Sequence, residues 1–297
     1  MKKKLVSIIV NCYNGEKYLL KALNSVLKQK YQNFELVFVD NYSTDSSAKL
    51  FKSIKDPRFK YYKTQKKINL YEARNYALKK CKGDFIAFLD SDDWWDKNFL
   101  SSKKKFFNSN KDYGFTFSNC FHYFENSKKL KIFTKKKLPS GFILDNLLQY
   151  YFVKLSTIIL KKKLIKSYKF NPKYNIIGDY DFIIKIAQNY KAISFQDSLT
   201  YIRIHAQNFS HNNRDMFYKE FKDWVSKQNY QNYYFKKNKD QILKQLEYLR
   251  LIALLLNHKS YKLIFGILKF PIGLLKFKLL IIYFLPNFII KLKNKYF

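Results

Sequence analysis

Gly83-Asp84-Phe85-Ile86-Ala87-Phe88-Leu89-Asp90-Ser91-Asp92-Asp93-Trp94-Trp95 is the stretch whose reading decides the fold. Phe85 to Leu89 is a continuous apolar run behind a glycine, which predicts a strand buried on both faces of a parallel sheet. Asp90 and Asp92, two apart, share one side of the extended chain and converge just beyond the carboxyl edge of that sheet. Open α/β sheets bind their ligands there. Crowded carboxylates repel one another unless a cation or hydrogen-bond donors compensate them. Mg²⁺ or Mn²⁺ suits such a pair, taking one or two protein carboxylates and filling its other positions with water and phosphate oxygens. The competing reading is a solvated acidic turn that caps a helix starting near Asp96. The buried strand before the carboxylates and the Trp94-Trp95 pair after them favour a ligand site.

Upstream, Leu5 to Asn11 reads as a strand bounded by a basic start and the Asn14-Gly15 turn; it is too short for the core of a signal peptide. Glu16 to Gln29 carries Leu19, Ala22, Leu23, Val26 and Leu27 at helical spacing, and Phe34 to Val39 returns as a strand. Strand, helix, strand implies a right-handed crossover and parallel pairing. Asp40 and Asn41 then lie beside Asn11 and Tyr13, giving a stacking ring and polar partners of the kind a uracil-like base takes. Ser43 to Ser46 caps a short helix to about Ile54, and Phe59 to Tyr62 is a strand. Asn69 caps a helix from Leu70 to Lys80, whose middle carries Arg74, facing a phosphate, an aspartate or plain solvent.

Downstream, Asn98 to Asn108 is expected as a helix, Tyr113 to Phe117 and His122 to Phe124 as strands. Lys128 to Lys137 is expected as a solvated loop, and Phe152 to Leu160 as a core strand. Ile177-Gly178-Asp179-Tyr180-Asp181-Phe182 leads into a helix, so Asp179 and Asp181 do not share a face. Both carboxylates also suit a helix start.

Val6 to Asn14, Phe34 to Asp45, Ala73-Arg74-Asn75 and Phe88 to Asp93 resemble, in order and spacing, the motifs of family 2 glycosyltransferases with the GT-A fold. The resemblance covers about the first hundred residues. It implies an α/β, Rossmann-like and mostly parallel central sheet flanked by helices. It also implies transfer, with inversion, of a sugar from a nucleotide-diphosphate sugar, UDP-linked, to an acceptor hydroxyl. Asn11, Tyr13, Asp40 and Asn41 are then expected to hold base and ribose; many members carry a second aspartate where Asn41 stands. Asp90, Ser91 and Asp92 are expected on the diphosphate, with Asp90 and Asp92 on Mg²⁺ or Mn²⁺. Asp179 takes the position of the general base, which a weakly nucleophilic sugar hydroxyl needs. Tyr201-Ile202-Arg203-Ile204-His205 is similar to a Tyr-Arg-x-His segment, with Ile202 where a tyrosine is usual. From it Arg203 is expected to neutralise the diphosphate, and His205 to complete the metal sphere or touch the diphosphate.

The chain has 297 residues, enough for a catalytic domain over residues 1–215, split into a nucleotide half (1–110) and an acceptor half (111–215), and an extension over 216–297. A net charge of +35, from 57 basic and 22 acidic residues, points to an anionic partner. Lysines are spread along the chain, arginines are few and no nucleic-acid motif occurs, which argues against a specific nucleic-acid partner. Part of the charge reflects a composition rich in Lys, Asn, Ile, Phe and Tyr. Cys12, Cys81 and Cys120 have neither metal nor disulfide spacing and read as buried thiols of a cytoplasmic protein.

Leu243, Leu246, Leu249, Ile252 and Leu256 predict a helix. Lys262 to Lys293 mixes apolar clusters with lysines, and no acidic residue follows Glu247. That pattern suits peripheral attachment to the inner face of an anionic membrane, or else a helical bundle closing over the core. A lipid-linked glycan of cell-surface polysaccharide assembly is the acceptor class this suggests. Two other functions compete: a non-catalytic, membrane-associated nucleotide-sugar-binding protein, and a polyanion-binding protein. A nucleotidyltransferase is disfavoured because the glycine-rich phosphate loop it needs near the first strand is missing.

Overall fold

The computed structural model describes residues 4–257 and 262–285. The chain forms two compact units: one runs to Leu147 and takes in Tyr151–Arg203, the other comprises Leu148–Tyr150 and the residues from Ile204 onward. The division falls inside the last strand, between Arg203 and Ile204.

The first unit begins β1 (Val6–Cys12), α1 (Glu16–Leu27), β2 (Phe34–Asp40), α2 (Ser47–Ser53), β3 (Phe59–Lys63), α3 (Leu70–Lys80), β4 (Phe85–Phe88) and β5 (Trp94–Trp95). It continues α4 (Lys104–Phe107), β6 (Tyr113–Ser118), β7 (Phe121–Phe124), β8 (Lys129–Ile132), α5 (Leu144–Gln149), β9 (Ile159–Lys161), α6 (Gly178–Ala187), β10 (Lys191–Phe195) and β11 (Thr200–Ile204), with α5 running into the second unit. Seven strands form a mixed sheet in the order β10-β6-β9-β4-β1-β2-β3, parallel except for β9, which runs antiparallel to both neighbours. Strands β2 and β4 are buried along their whole length and β1 at all but one position, as the unbroken apolar runs require of a sheet covered on both faces. Gly83 is glycine for a packing reason: a Cβ there would stand 2.6 Å from the Ser7 backbone nitrogen. The remaining strands make a small sheet, β5-β11-β7-β8, beyond the carboxyl edge of β4.

Three expectations are corrected. Asn98 to Asn108 is not one helix: a 3-10 turn at Ser101–Lys103 precedes the single turn of α4. The Ser101 and Ser102 hydroxyls bond back to the carbonyls of Asn98 and Phe99, and such local bonds compete with helix growth. Phe152 to Leu160 is not one strand, because Leu155–Thr157 forms a 3-10 turn and pairing starts only at Ile159. Within Lys128 to Lys137, Lys129–Ile132 pairs with β7 as an exposed, lysine-bearing edge strand, a composition that discourages further edge pairing.

The second unit is helical: α7 (Phe209–Asn212), α8 (Arg214–Ser226), α9 (Tyr233–Lys237), α10 (Lys239–Asn257), α11 (Lys262–Lys269) and α12 (Leu274–Phe284). Leu251, Ile252 and Leu255 of α10 pack with Ile267, Phe270 and Leu279 from the α11–α12 segment. No described helix is long and apolar enough to cross a membrane. Of the stretch read as basic and amphipathic, residues 286–293 lie outside the described residues. All three cysteines are free and buried, and burial pushes their thiols up to about 11 for Cys12 and about 12 for Cys81 and Cys120.

Candidate active site

The carboxylate loop continues the parallel pairing of β4, since the Leu89 N–H donates to the Ile9 carbonyl at 3.0 Å. Its shape is fixed by the third aspartate. The buried Asp93 carboxylate accepts the Ser156 hydroxyl at 2.6 Å and the Arg203 N–H at 2.9 Å. Ser156 Oγ in turn accepts the Asp90 N–H at 3.1 Å, and the Ser156 carbonyl accepts Trp95 Nε1 at 2.7 Å. Asp93 thus joins β4, the 155–157 turn and β11, and leaves Asp90 and Asp92 as the partly exposed carboxylates. The start of α1 lies against this loop: a Cβ on Gly15 would come within 3.3 Å of Ser91 Oγ.

Arg74 projects from α3 and donates to Asp90 Oδ1 at 2.6 Å. Of the three surroundings open to it in the sequence, the structure places it on an aspartate. The neighbouring Asn75 fixes the acceptor side, exchanging hydrogen bonds of 2.8 and 3.0 Å with the Phe170 backbone. Asn69 caps α3 on the Tyr71 N–H and also donates to the Tyr174 carbonyl at 2.9 Å. These links bring the start of α6 onto α3. Gly178 lies flat against the Tyr71 ring, where a Cβ would stand 2.5 Å from ring carbons.

Asp179 follows in the first turn of α6. Its Oδ1 accepts the Tyr180 N–H at 2.8 Å and the Tyr71 hydroxyl at 3.4 Å, whereas Oδ2 accepts nothing among the described residues. Burial raises the Asp179 carboxyl above the ordinary carboxylate range, with Arg74 pulling it down. Partial burial also raises Asp90; Arg74 opposes that shift, and Asp92 and Asp179 add to it. Burial, then Asp92 and Asp90, hold Asp93 well above the usual range. Arg74 is therefore the resident cation of a cluster that includes Asp90 and Asp179. Beside Asp179 the Tyr151 hydroxyl is buried with no hydrogen-bond partner among the described residues, and burial and that carboxylate push it well up. Asp181 turns away and pairs with Lys185 at 2.7 Å.

At the nucleotide rim the fully buried Asp40 accepts the Ser43 N–H at 2.7 Å and the Tyr61 hydroxyl at 2.6 Å. Asn41 bonds both the carbonyl and the N–H of Ile68, at 2.8 and 3.0 Å. These two side chains hold the rim together internally. Asn11 has both amide atoms buried without a partner among the described residues, and the exposed Tyr13 ring carries Lys67 Nζ 3.8 Å from its centroid.

Arg203 is engaged within the protein. Its Nε donates to the Asp92 carbonyl at 3.0 Å, and its guanidinium lies 4.4 Å from the Tyr18 centroid and 4.9 Å from that of Trp94. It braces the carboxylate loop from the small sheet. His205 belongs to the second unit, where its N–H donates to Asn208 Oδ1 at 2.7 Å.

No group of three or more His, Cys, Asp or Glu side chains among the described residues could enclose a metal ion. Asp90 and Asp92 nevertheless fit an ion that draws its remaining ligands from phosphate and water, and their mutual repulsion is what such a cation relieves. Sequence reasoning missed Ser156, Tyr71 and Tyr151. Ser156 sits in an apolar run that looks like a strand, and no local pattern marks it.

A profile of the family described as Glycosyl transferase family 2 matches residues 7–159, about half of the chain. An Escherichia coli protein named UDP-Glc:alpha-D-GlcNAc-diphosphoundecaprenol beta-1,3-glucosyltransferase WfaP is 34% identical over 70% of this chain and 81% of its own length. The chain belongs to glycosyl transferase family 2. An uncharacterized glycosyltransferase of Haemophilus influenzae is 31% identical, over 85% of this chain and 96% of its own. Among solved structures, this family 2 chain is similar in fold to S. aureus TarS in complex with UDP-GlcNAc. The TM-score is 0.60 at 19% identity, covering 88% of this chain and 78% of the other. A Pyrobaculum calidifontis mannosyltransferase, PcManGT, in complex with GDP-Man and Mn²⁺, covers 100% of this chain and 85% of its own at a TM-score of 0.58 and 15% identity. These likenesses establish the GT-A architecture.

Proposed function

We propose that this glycosyltransferase is inverting and metal-dependent, and that it moves a sugar from a UDP-sugar to a hydroxyl of a lipid-linked glycan. The observation that carries the reading is the Asp179 carboxylate: one oxygen is held by Tyr180 and Tyr71 and the other accepts no hydrogen bond among the described residues, in the same charged cluster as Arg74 and Asp90. Asp179 takes the proton of the acceptor hydroxyl. The acceptor oxygen bonds to the anomeric carbon as the bond to the nucleoside diphosphate breaks, and attack opposite the leaving group inverts that centre. Asp90 and Asp92 would hold Mg²⁺ or Mn²⁺, which would supply positive charge against the diphosphate. Tyr13 and Asn11 face the base, while Asp40, Asn41, Ser91 and Arg203 shape the loops around it.

The relative WfaP, whose name gives UDP-Glc as donor and a diphosphoundecaprenol-linked GlcNAc as acceptor, supports the donor and acceptor classes. The Mn²⁺ in the PcManGT complex supports a divalent ion. On this reading the enzyme works at the inner face of the cell membrane.

The test is a panel of nucleotide sugars with a synthetic GlcNAc-diphospho-lipid acceptor and Mn²⁺, using wild type, Asp92→Asn and Asp179→Asn. Transfer by wild type that each substitution abolishes supports the reading. Equal turnover in all three contradicts it.

A further inference from the structure

Helix α12 is apolar on two sides. Leu279 is buried within the second unit, and Leu275, Ile282 and Tyr283 are packed around it. A second stripe at Leu274, Phe277, Ile281 and Phe284, spaced three, four and three residues apart along one face, is 72%, 60%, 56% and 73% exposed. Phe265 and Leu268 on α11 and Ile272 between the helices are exposed as well. Large exposed apolar patches on soluble domains mark interaction surfaces. The polar residues among them are of one sign: Lys269 and Lys278 are exposed, and the sequence holds no acidic residue after Glu247.

We propose that the α11–α12 face docks on an anionic bilayer, with Phe265, Phe277, Ile281 and Phe284 entering the acyl boundary and Lys269 and Lys278 meeting lipid phosphates. The charge decides the occupant. Lysines are the only charged residues of α11 and α12 themselves, although Asp240 and Glu247 of α10 line a cavity with Phe265 and Lys269; such helices complement a phosphate-bearing surface, and lysines beside an apolar stripe are the composition of helices that lie in the membrane interface. Lys278 opposes pairing of the α12 stripe with a second copy of itself, since like charges would meet. The proposal deepens the reading of a lipid-linked acceptor by naming the surface that brings the enzyme to it, yet it concerns binding alone.

The test is co-sedimentation of the full chain with vesicles of phosphatidylcholine alone and of phosphatidylcholine with phosphatidylglycerol. It compares wild type, Phe277→Ser/Phe284→Ser and Lys269→Gln/Lys278→Gln, each checked for a wild-type circular-dichroism spectrum. The expected result is binding to the anionic vesicles only, weakened about tenfold or more by either double substitution and by high salt. Equal binding to both vesicle types, or wild-type binding by both variants, overturns the proposal. So does a vesicle-indifferent dimer that the phenylalanine substitutions dissociate. Because the readout needs no turnover, a protein that binds vesicles without transferring sugar refutes the catalytic reading and leaves this one standing.

Discussion

Replacing Arg74 by Gln removes the cation bonded to Asp90 and leaves the cluster of Asp90, Asp92 and Asp179 without its main compensation. At charge centres about 4 Å apart and an effective dielectric near 20, the lost attraction is roughly 4 kcal/mol. Asp90 is partly open to solvent, which about halves it, to roughly 2 kcal/mol or about 30-fold in rate. The sign follows from the charge: burial already raises both carboxyls, and losing Arg74 raises them further. A general base works deprotonated, so activity rises with pH through its pKa, and the acid limb of kcat/KM moves to higher pH in the variant. Arg74→Lys keeps the charge but not the geometry and falls between. The assay is UDP release across pH 5 to 9 at fixed Mn²⁺ and sub-saturating acceptor. An Arg74→Gln enzyme with the wild-type limb and a rate within about twofold of wild type at pH 7 refutes the reasoning.

Ser156→Ala leaves the buried Asp93 carboxylate and the Asp90 N–H each short of a partner. About 1–3 kcal/mol of stability is lost, measured by urea unfolding, and the Mn²⁺ concentration for half-maximal binding rises; Ser156→Thr restores both. Lys103 is fully buried with no hydrogen-bond partner among the described residues, and burial lowers its pKa to about 7, with Asp197 opposing. The unfolded chain therefore binds a proton that the native one lacks between about 7 and the ordinary 10.5, so this lysine makes stability climb with pH across that window and leaves it lowest below. Lys103→Met should stabilise the protein by up to roughly 4 kcal/mol at pH 6 and progressively less toward pH 10, read as the difference between thermal unfolding curves.

The parallel half of the fold was legible because its signals are local. Apolar runs gave β1, β2 and β4, the 3.6-residue period gave α1, and Asn69 capped α3 where its side chain implied. The carboxylate pair and the Gly178-Asp179 start of α6 were legible for the same reason. What sequence could not give was who satisfies whom. Asp93 looks like its neighbours, but its partners lie 63 and 110 positions away, so its bracing role exists only in the folded chain. Asp40 and Asn41 have the right chemistry for a base, but only the folded chain shows that Tyr61, Ser43 and Ile68 engage them while the Asn11 amide has no partner among the described residues. Arg203 is cationic wherever it stands; the rings of Tyr18 and Trp94 decide that it braces the loop. Ser156 was hidden inside a strand-like run because the aspartate loop draws it into a turn.

The central claim is that Asp179 removes the acceptor proton, and the most direct measurement is transfer by Asp179→Asn alongside calorimetric binding of the UDP-sugar with Mn²⁺. The amide keeps the side chain's shape and its contacts to Tyr180 and Tyr71 but has no carboxylate to take the proton. Transfer lowered about 10²- to 10⁴-fold with donor binding within a few-fold of wild type is the predicted result. Transfer within a few-fold of wild type would contradict it.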